Sequence, residues 1–291
     1  MIWDELDARL DALPGTVSAY AGRVDAPPTW ARRPDATHYA ASTMKVAVLL
    51  ALHRATEAGT LDLDAPVEVR NEFDSALPGA PRFACARHYD NDEAVWERED
   101  GHVPLRWLAE RMIVRSSNLA TNLCLRHVGL PAVADAWAIA GARHSVTGRG
   151  IEDFAAREAG ITNLVTAADL AALLGGLAAG ASRPGLLASP AGCTAMLDVL
   201  SAQEFREDLA AGLPDGVRVA HKNGWVRGVR HGAGVVYPPD APPYVLVVCT
   251  TGDPADDTCR LLADISARVW AARHDLRPAA AGPPAGHDTD R

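Results

Sequence analysis

The spacing of apolar and polar residues predicts helices and extended segments in the first part of the chain. An amphipathic pattern over about 3–13 predicts a helix that ends at Pro14-Gly15. Alternation over 16–24 predicts an antiparallel strand, and a second extended stretch is expected within 28–40. From Ser42 to Ala58 the pattern is helical again and ends at Gly59. One face of that helix is expected to carry Val46, Leu49, Leu50 and His53.

A helical middle and an extended C-terminal part follow. The stretch 60–103 is rich in proline and predicted to be mostly loop. Further helices are predicted at about 104–114, 119–128, 131–140, 167–177 and 190–202. Strands are predicted at 217–221, 232–237 and 244–251, followed by a helix over about 255–274 and a disordered tail at 277–291. The last strand is continuously apolar, which indicates a central position in its sheet.

This order predicts an α+β fold. An antiparallel sheet of about five strands is expected to form from both chain ends, flanked by helices, with an all-helical lobe inserted between its halves. The corresponding domain boundaries are 1–41 together with 206–276 for the sheet part and 42–205 for the inserted part.

Composition excludes several functional classes. The net charge of −9 argues against binding to nucleic acid or to an anionic membrane surface. No apolar run is long enough to span a membrane, and the acidic N-terminus lacks a signal-peptide pattern, so a cytoplasmic location is expected. The five cysteines show no CxxC spacing, which favours reduced thiols in the core.

The lysines are unusual because the chain has only two among its 28 basic residues. Lys45 follows Ser42 by three positions at the start of the predicted 42–58 helix, so both side chains lie on one face. A buried lysine can lose its proton and activate a serine, whereas arginine stays protonated. Taken alone, Ser42 could simply cap the helix and Lys45 could be a surface residue.

Two further motifs also contain a lysine or a serine that could take part in catalysis. Lys222 and Gly224 follow the predicted 217–221 strand, and on a strand they would face the same way, with glycine leaving room for a ligand beside the ammonium group. The second motif, Ser116-Ser117-Asn118, lies between two predicted helices. Either motif alone is also explained by an ordinary strand lysine or a helix cap.

In combination, S-x-x-K, S-x-N and K-x-G occur in the order found in class A β-lactamases and penicillin-binding proteins. The chain therefore resembles the class A β-lactamase family over about 16–272, and specifically its divergent serine-hydrolase branch. The resemblance implies the β-lactamase/transpeptidase fold, a small-molecule substrate (a lactam, amide or ester) and no cofactor or metal. It also implies β-lactam hydrolysis through an acyl-enzyme.

The resemblance assigns a role to each matching residue. Ser42 is the expected nucleophile and Lys45 assists its deprotonation, while Ser116 relays a proton to the leaving nitrogen. The backbone N–H groups of Ser42 and Trp225 form the expected oxyanion hole. The remaining expected contacts to substrate come from Asn118, Lys222, Asn223, Gly224 and Trp225, with Lys222 also supporting Ser116.

Three departures from the family pattern affect this interpretation. Ser117 replaces the usual aspartate, so a carboxylate that braces the motif is missing, and Asn223 replaces the usual hydroxyl residue. The E-x-x-x-N sequence that deacylates class A β-lactamases is absent. Glu152 is the nearest candidate base, with Asp153 and Glu158 behind it, although a solvated or Arg149-paired loop residue is the alternative interpretation.

Other interpretations remain open from the sequence. The ligand-type residues at 88–93 match no standard metal site and predict a solvated acidic loop. An amide or ester hydrolase, or an acyltransferase, acting on a cytoplasmic substrate that is not a β-lactam is one alternative function. A non-catalytic ligand-binding or sensor protein on the same fold is another.

Overall fold

The computed structural model describes residues 2–252 and 257–277. Its helices are α1 (Ile2–Asp11), α2 (Lys45–Glu57), α3 (Glu93–Trp96), α4 (Leu105–Val114), α5 (Asn118–Val128), α6 (Leu130–Ile139), α7 (Phe154–Glu158), α8 (Ala167–Gly180), α9 (Pro190–Ser201) and α10 (Thr258–Ala271). Its strands are β1 (Thr16–Arg23), β2 (Trp30–Arg32), β3 (His38–Tyr39), β4 (Pro66–Glu68), β5 (His102–Pro104), β6 (Val146–Thr147), β7 (Asn163–Val165), β8 (Arg218–Val226), β9 (Val229–Tyr237) and β10 (Tyr244–Thr251).

The main sheet has five antiparallel strands in the order β2-β1-β10-β9-β8. The first two strands come from the N-terminal part of the chain and the other three from the C-terminal part. β1 pairs with β10 along its whole length, from Thr16 opposite Thr251 to Arg23 opposite Tyr244. The predicted fold class and the central position of the last strand are confirmed.

The continuous apolar sequence of β10 follows from a core on each face of the sheet. Val245, Val247 and Cys249 point into the core shared with the inserted helices. The alternate residues Leu246 and Val248 point into a second core, which α1 and α10 cover. Because successive strand residues face opposite sides, a strand buried on both sides needs apolar residues throughout.

Helix α2 is buried more completely than its amphipathic pattern predicts. Its first eight residues, 45–52, are all buried, because α4, α5, α6 and α9 pack around it. A helix segment that is enclosed on all sides needs no polar face. Apart from Lys45, every residue of this segment is apolar, and the smallest are Ala47 and Ala51. The charged side chain of Lys45 is therefore carried into the interior.

Several details differ from expectation. The inserted lobe is not all-helical, because it contains the short strands β4 to β7. β4 pairs with β5, and β6 and β7 form a small sheet with β3, which precedes the insertion. These strands have two or three residues each, too short to give a visible alternation. β8 extends to Val226, beyond the expected end at 221, so the K-x-G motif lies within the strand. The predicted disordered tail lies outside the described residues from 278 onward.

Candidate active site

Ser42 lies in a tight 3-10 helix, Ala41–Met44, that leads directly into α2. Ala41 has a φ of 45°, a conformation that alanine rarely adopts. The turn is held by the Ala40 N–H, which donates to the Asn163 carbonyl, and by the Thr43 hydroxyl, which donates to the Ala40 carbonyl. Ser42 itself is only partly buried. The backbone thus presents a serine hydroxyl at the edge of the core.

The Lys45 ammonium joins the first motif to the second. Nζ donates to the carbonyl of Ser116 at 2.8 Å and lies 3.3 Å from its hydroxyl. It also donates to the Ser117 carbonyl and to Oδ1 of Asn118. Lys45 is fully buried, and loss of hydration lowers the pKa of its ammonium group to about 8. At neutral pH an appreciable fraction can therefore give up its proton.

The Ser116–Asn118 turn is constrained from several sides. Ser116 has a φ of 56°, a left-handed conformation that is uncommon for serine. The Ser117 hydroxyl caps α5 by accepting from the Ala120 N–H. Two residues outside the turn accept further hydrogen bonds. The Ser117 hydroxyl and the Leu119 N–H donate to Asp90, and the Asn118 amide donates to the Tyr89 carbonyl.

Strand β8 lies against the start of α2 at Gly224. A Cβ atom on Gly224 would lie 2.7 Å from the backbone nitrogen of Ser42, so a larger residue cannot fit there without a shift. β8 is an edge strand, and Val226 pairs with Val229 across a two-residue turn. Because hydrogen-bonded pairs alternate along a hairpin, the Trp225 N–H points out of the free edge. Both expected oxyanion-hole donors therefore adjoin Gly224.

Lys222 is fully buried, but its hydrogen bonds differ from those expected. Nζ donates to the Asn223 carbonyl at 2.9 Å and to the Asn223 side-chain oxygen at 3.2 Å. The Ser116 hydroxyl is bonded by Lys45 instead. Burial, together with the nearby Lys45 charge, lowers the pKa of Lys222 well below its ordinary value.

The Asn223 side chain takes part in interactions away from the nucleophile. Its amide nitrogen donates to the Phe205 carbonyl. Asp208, which is fully buried, lies 3.5 Å from the Arg230 guanidinium group, and Glu207 also pairs with Arg230. Burial raises the pKa of Asp208. The end of the site near Lys222 therefore contains acidic as well as basic groups.

Glu152 lies on a loop that α5 holds in place. Both main-chain groups of Ile151 bond to the Asn122 side chain, each at 2.8 Å. One Glu152 oxygen accepts from the Ala86 N–H, while the buried Oε1 has no partner among the described residues. Loss of hydration raises the pKa of Glu152. The structure shows no hydrogen bond from Glu152 to Ser42, Lys45 or Ser116.

Other carboxylates of this region have structural partners. Asp153 is buried, caps α7 and accepts from Ser75, while Glu158 is exposed at the end of α7. Arg149 donates to carbonyl groups and to the Tyr39 hydroxyl, so it is not the partner of Glu152. These contacts could not be inferred from the loop sequence.

The 88–93 segment is not simply a solvated acidic loop, as its sequence predicted. Asp92 is buried, pairs with Arg111 and caps α3, while Asp90 contacts the Ser116–Asn118 turn. His88, Tyr89 and Glu93 are exposed. Within residues 2–252 and 257–277, the structure contains no cluster of three or more His, Cys, Asp or Glu side chains suited to a metal ion.

The fold and this set of motifs define a protein of the β-lactamase/transpeptidase type. The model of the Beta-lactamase enzyme family matches residues 1–272, and the chain belongs to that family. No curated protein matches the chain significantly. None of the described helices is long and apolar enough to cross a membrane.

Solved structures are similar over almost the whole chain. A β-lactamase from Sphaerobacter thermophilus is 26% identical, with 95% of this chain and 99% of that chain covered and a TM-score of 0.77. PBP-A is 23% identical, with 94% and 96% covered and a TM-score of 0.77. An ancestral class A β-lactamase is 21% identical, with 94% and 100% covered and a TM-score of 0.76. The last two similarities concern the fold alone.

Proposed function

We propose that the protein is a serine hydrolase that forms an acyl-enzyme on Ser42 and hydrolyses a β-lactam or a related cyclic amide. The observation that carries this proposal is the buried Lys45 ammonium group, which has a lowered pKa and bonds the Ser116–Asn118 turn. Ionisable groups whose pKa is strongly shifted by burial concentrate at functional sites. Family membership supports the same chemistry.

Acylation begins when neutral Lys45 accepts the proton of the Ser42 hydroxyl. The hydroxyl oxygen then attacks the carbonyl carbon, and the N–H groups of Ser42 and Trp225 stabilise the negative charge that develops on the carbonyl oxygen. As the carbon–nitrogen bond breaks, Ser116 gives its proton to the leaving nitrogen. The Ser116 hydroxyl recovers a proton from Lys45, which lies 3.3 Å away. Lys45 thereby returns to its neutral form.

Substrate binding falls to the groups around this centre. Asn118 is proposed to bond the side-chain amide of the substrate, and Lys222 to attract a carboxylate. Asn223, Gly224 and Trp225 form the adjoining wall on β8. One similar structure, a point mutant of PBP-A that is 22% identical, is an acyl-enzyme complex with penicillin G. Penicillins are therefore suitable first probes.

Glu152 is proposed as the base that activates water for deacylation. Its buried Oε1 has no hydrogen-bond partner among the described residues, and burial raises its pKa, which makes the carboxylate a stronger base. Replacement of the carboxylate by an amide in Glu152→Gln should slow deacylation by roughly 100-fold or more, because a general base typically contributes 10²–10⁴-fold. Acylation should change little. If deacylation is unchanged, Glu152 has no part in the mechanism.

The nucleophile is tested by intact-protein mass spectrometry after exposure to a penicillin and a cephalosporin. One acyl group should add to the wild-type protein, and peptide mapping should place it on Ser42. Ser42→Ala should remain unmodified, while the control Ser182→Ala, on a serine that bonds only the Ala179 carbonyl, should react like wild type. If neither β-lactams nor activated esters modify Ser42, the proposed function is wrong.

Turnover measurements separate hydrolysis from acyl transfer. Fast acylation followed by a stable adduct that is released only when an amine is added would indicate a transferase. Steady release of the hydrolysed product in water alone is expected for the proposed β-lactamase-like activity.

A further inference from the structure

Asp90 lies outside all three sequence motifs but contacts the second one directly. One oxygen, Oδ2, accepts from the Ser117 hydroxyl at 3.1 Å and from the Leu119 N–H at 2.8 Å. The neighbouring Tyr89 carbonyl accepts from the Asn118 side chain at 3.1 Å. The loop at 89–90 therefore bonds three consecutive residues, 117–119.

We propose that Asp90 is a positioning residue that replaces the carboxylate missing from the S-x-N motif and holds the Ser116–Asn118 turn in its reactive geometry. The middle residue of the motif is Ser117, where the family pattern has aspartate. In this chain the hydroxyl is on the turn and the carboxylate comes from the neighbouring loop. This inference rests on the proposed function of Ser42, Lys45 and Ser116.

The turn needs such support because its backbone is strained. Ser116 has a φ of 56°, and such conformations persist where surrounding contacts fix them. Lys45 bonds the turn on its inner side through the Ser116 and Ser117 carbonyls. Asp90 bonds it on the outer side. Without Asp90, the Ser117 hydroxyl and the Leu119 N–H lose a charged acceptor, and the Ser116 hydroxyl is no longer held toward Lys45.

Asp90 is itself held in place before any substrate arrives. Its second oxygen, Oδ1, accepts from the Asp92 N–H at 3.1 Å. Asp92 is 2% exposed and forms an ion pair with Arg111 of α4. The Asp90 carboxylate also lies at the N-terminus of α5, where the helix dipole favours a negative charge. These contacts fix a carboxylate in one orientation, as a brace requires.

Asp90 also influences the charge on Lys45. The titratable groups that act on the Lys45 ammonium are Asp90, the thiols of Cys85 and Cys124, and the Lys222 ammonium. Burial raises the pKa of both thiols, so they stay neutral. Asp90 is the one carboxylate of this set, and its negative charge raises the Lys45 pKa. Removal of that charge should lower it.

The test compares Asp90→Ser, Ser117→Asp and the double variant that carries both changes. In Asp90→Ser, acylation of Ser42 with a chromogenic cephalosporin should be roughly 10–100-fold slower, which is the loss typical of one charged hydrogen-bond acceptor. The double variant returns the carboxylate to the motif, and its rate should recover to within about threefold of wild type, as two compensating changes at contacting positions allow. Asp90→Asn keeps the shape of the side chain without the charge and should give an intermediate rate.

A pH profile distinguishes positioning from general damage. In Asp90→Ser, the rise of the acylation rate on the acid side of the pH profile should move to lower pH, because Lys45 loses its proton more readily. In the double variant the rise should return to its wild-type pH. Glu93→Gln removes an exposed carboxylate that pairs with Arg87 in the same segment and should change neither the rate nor the pH profile. Circular dichroism melts verify that each variant is folded.

The proposal is overturned if Asp90→Ser is acylated at the wild-type rate with an unchanged pH profile. It is also overturned if the acylation rate does not recover in the folded double variant. Failure of the proposed function is a separate result, since the wild-type protein then shows no acylation. In that case the rate of amide hydrogen exchange at Leu119, whose N–H donates to Asp90, tests whether Asp90 holds the turn. Exchange should be at least about tenfold faster in Asp90→Ser and return toward the wild-type rate in the double variant, and unchanged exchange excludes the brace.

Discussion

At the residue scale, both lysines of this chain are completely buried, whereas arginines such as Arg106, Arg143 and Arg218 lie at the surface in ion pairs. An arginine at position 45 would keep its proton at any accessible pH, and its planar group does not match the donor directions that Lys45 uses. The rarity of lysine in the sequence therefore indicated two positions where an ammonium group is required. The structure adds that each is fully desolvated, Lys45 against the Ser116–Asn118 turn and Lys222 against Asn223.

The acylation rate should depend on pH through Lys45. Below the Lys45 pKa the amine is protonated and cannot accept the Ser42 proton, so the rate should rise with pH and reach half of its plateau near pH 8. Lys45→Arg should lower the rate at least about 100-fold, the contribution typical of a general base. Stopped-flow acylation between pH 5.5 and 9.5 measures both. A rate that does not vary over this range would exclude Lys45 as the base.

Some residues of the site could be predicted from the sequence and others could not. Ser42, Lys45, Ser116 and Lys222 belong to motifs with fixed local spacing, so a pattern detects them. Asp90 lies 27 residues from Ser117 in a stretch without regular periodicity, and only the folded loop brings the two together. The sequence showed only that the usual aspartate is missing at Ser117, and it did not indicate where a replacement carboxylate lies.

At the scale of elements, helix α5 organises two parts of the site. Its N-terminus forms the S-x-N turn, and one turn later Asn122 bonds both main-chain groups of Ile151, next to Glu152. Asn122 is 2% exposed and also donates to the Cys85 sulfur. One helix thus fixes the turn that carries Ser116, the proposed proton relay, and the loop that carries the candidate deacylation base.

Asn122→Ala should weaken the 148–153 loop and, with it, deacylation. Loss of a buried amide that satisfies two main-chain groups should lower the free energy of unfolding by about 1–3 kcal/mol. Acylation should change less than deacylation, because the Asn122 side chain bonds Ile151 and Cys85 and forms no hydrogen bond with Ser42 or Lys45. Urea unfolding and single-turnover kinetics give the two quantities. The control Thr194→Ala alters an exposed hydroxyl on α9 that bonds its own helix, and it should leave both near wild type.

The elements that the sequence predicted best are those with many residues in one pattern. The long helices and the strands of the main sheet lie within a few residues of their expected bounds. The strands β3 to β7 escaped detection, because two or three residues cannot display a period and their pairing partners are distant in sequence. The extension of β8 through Lys222 and Asn223 was also missed, since polar residues on an edge strand resemble a turn.

At the scale of the whole molecule, β10 joins the two parts of the chain. It lies between β1 and β9 and contributes side chains to both cores. The proposed division into a sheet part (1–41 and 206–276) and an inserted part (42–205) therefore describes two regions that share one core. The inserted helices have no apolar core of their own that excludes the sheet.

A chain that ends at Pro239 should not fold, because it lacks β10 and α10. The remaining strands β1 and β9 would have no partner between them, and both cores would be open. A cooperative thermal transition and near-ultraviolet circular dichroism should both be lost. The control chain that ends at Arg277 should keep them, a result that also tests the predicted disorder of the tail. A cooperative transition in the shorter chain would contradict the central role of β10.

The position of Gly224 against Ser42 has a consequence for the order of events during biosynthesis. About 180 residues separate Ser42, the proposed nucleophile, from Trp225, which carries the second proposed oxyanion-hole donor. At a typical ribosomal speed this interval takes roughly 10–40 s. Throughout that time the nascent chain carries a serine without its electrostatic partners. The proposed reactivity toward acyl donors should therefore begin only when the last strands have formed, and the unfinished chain should resist acylation.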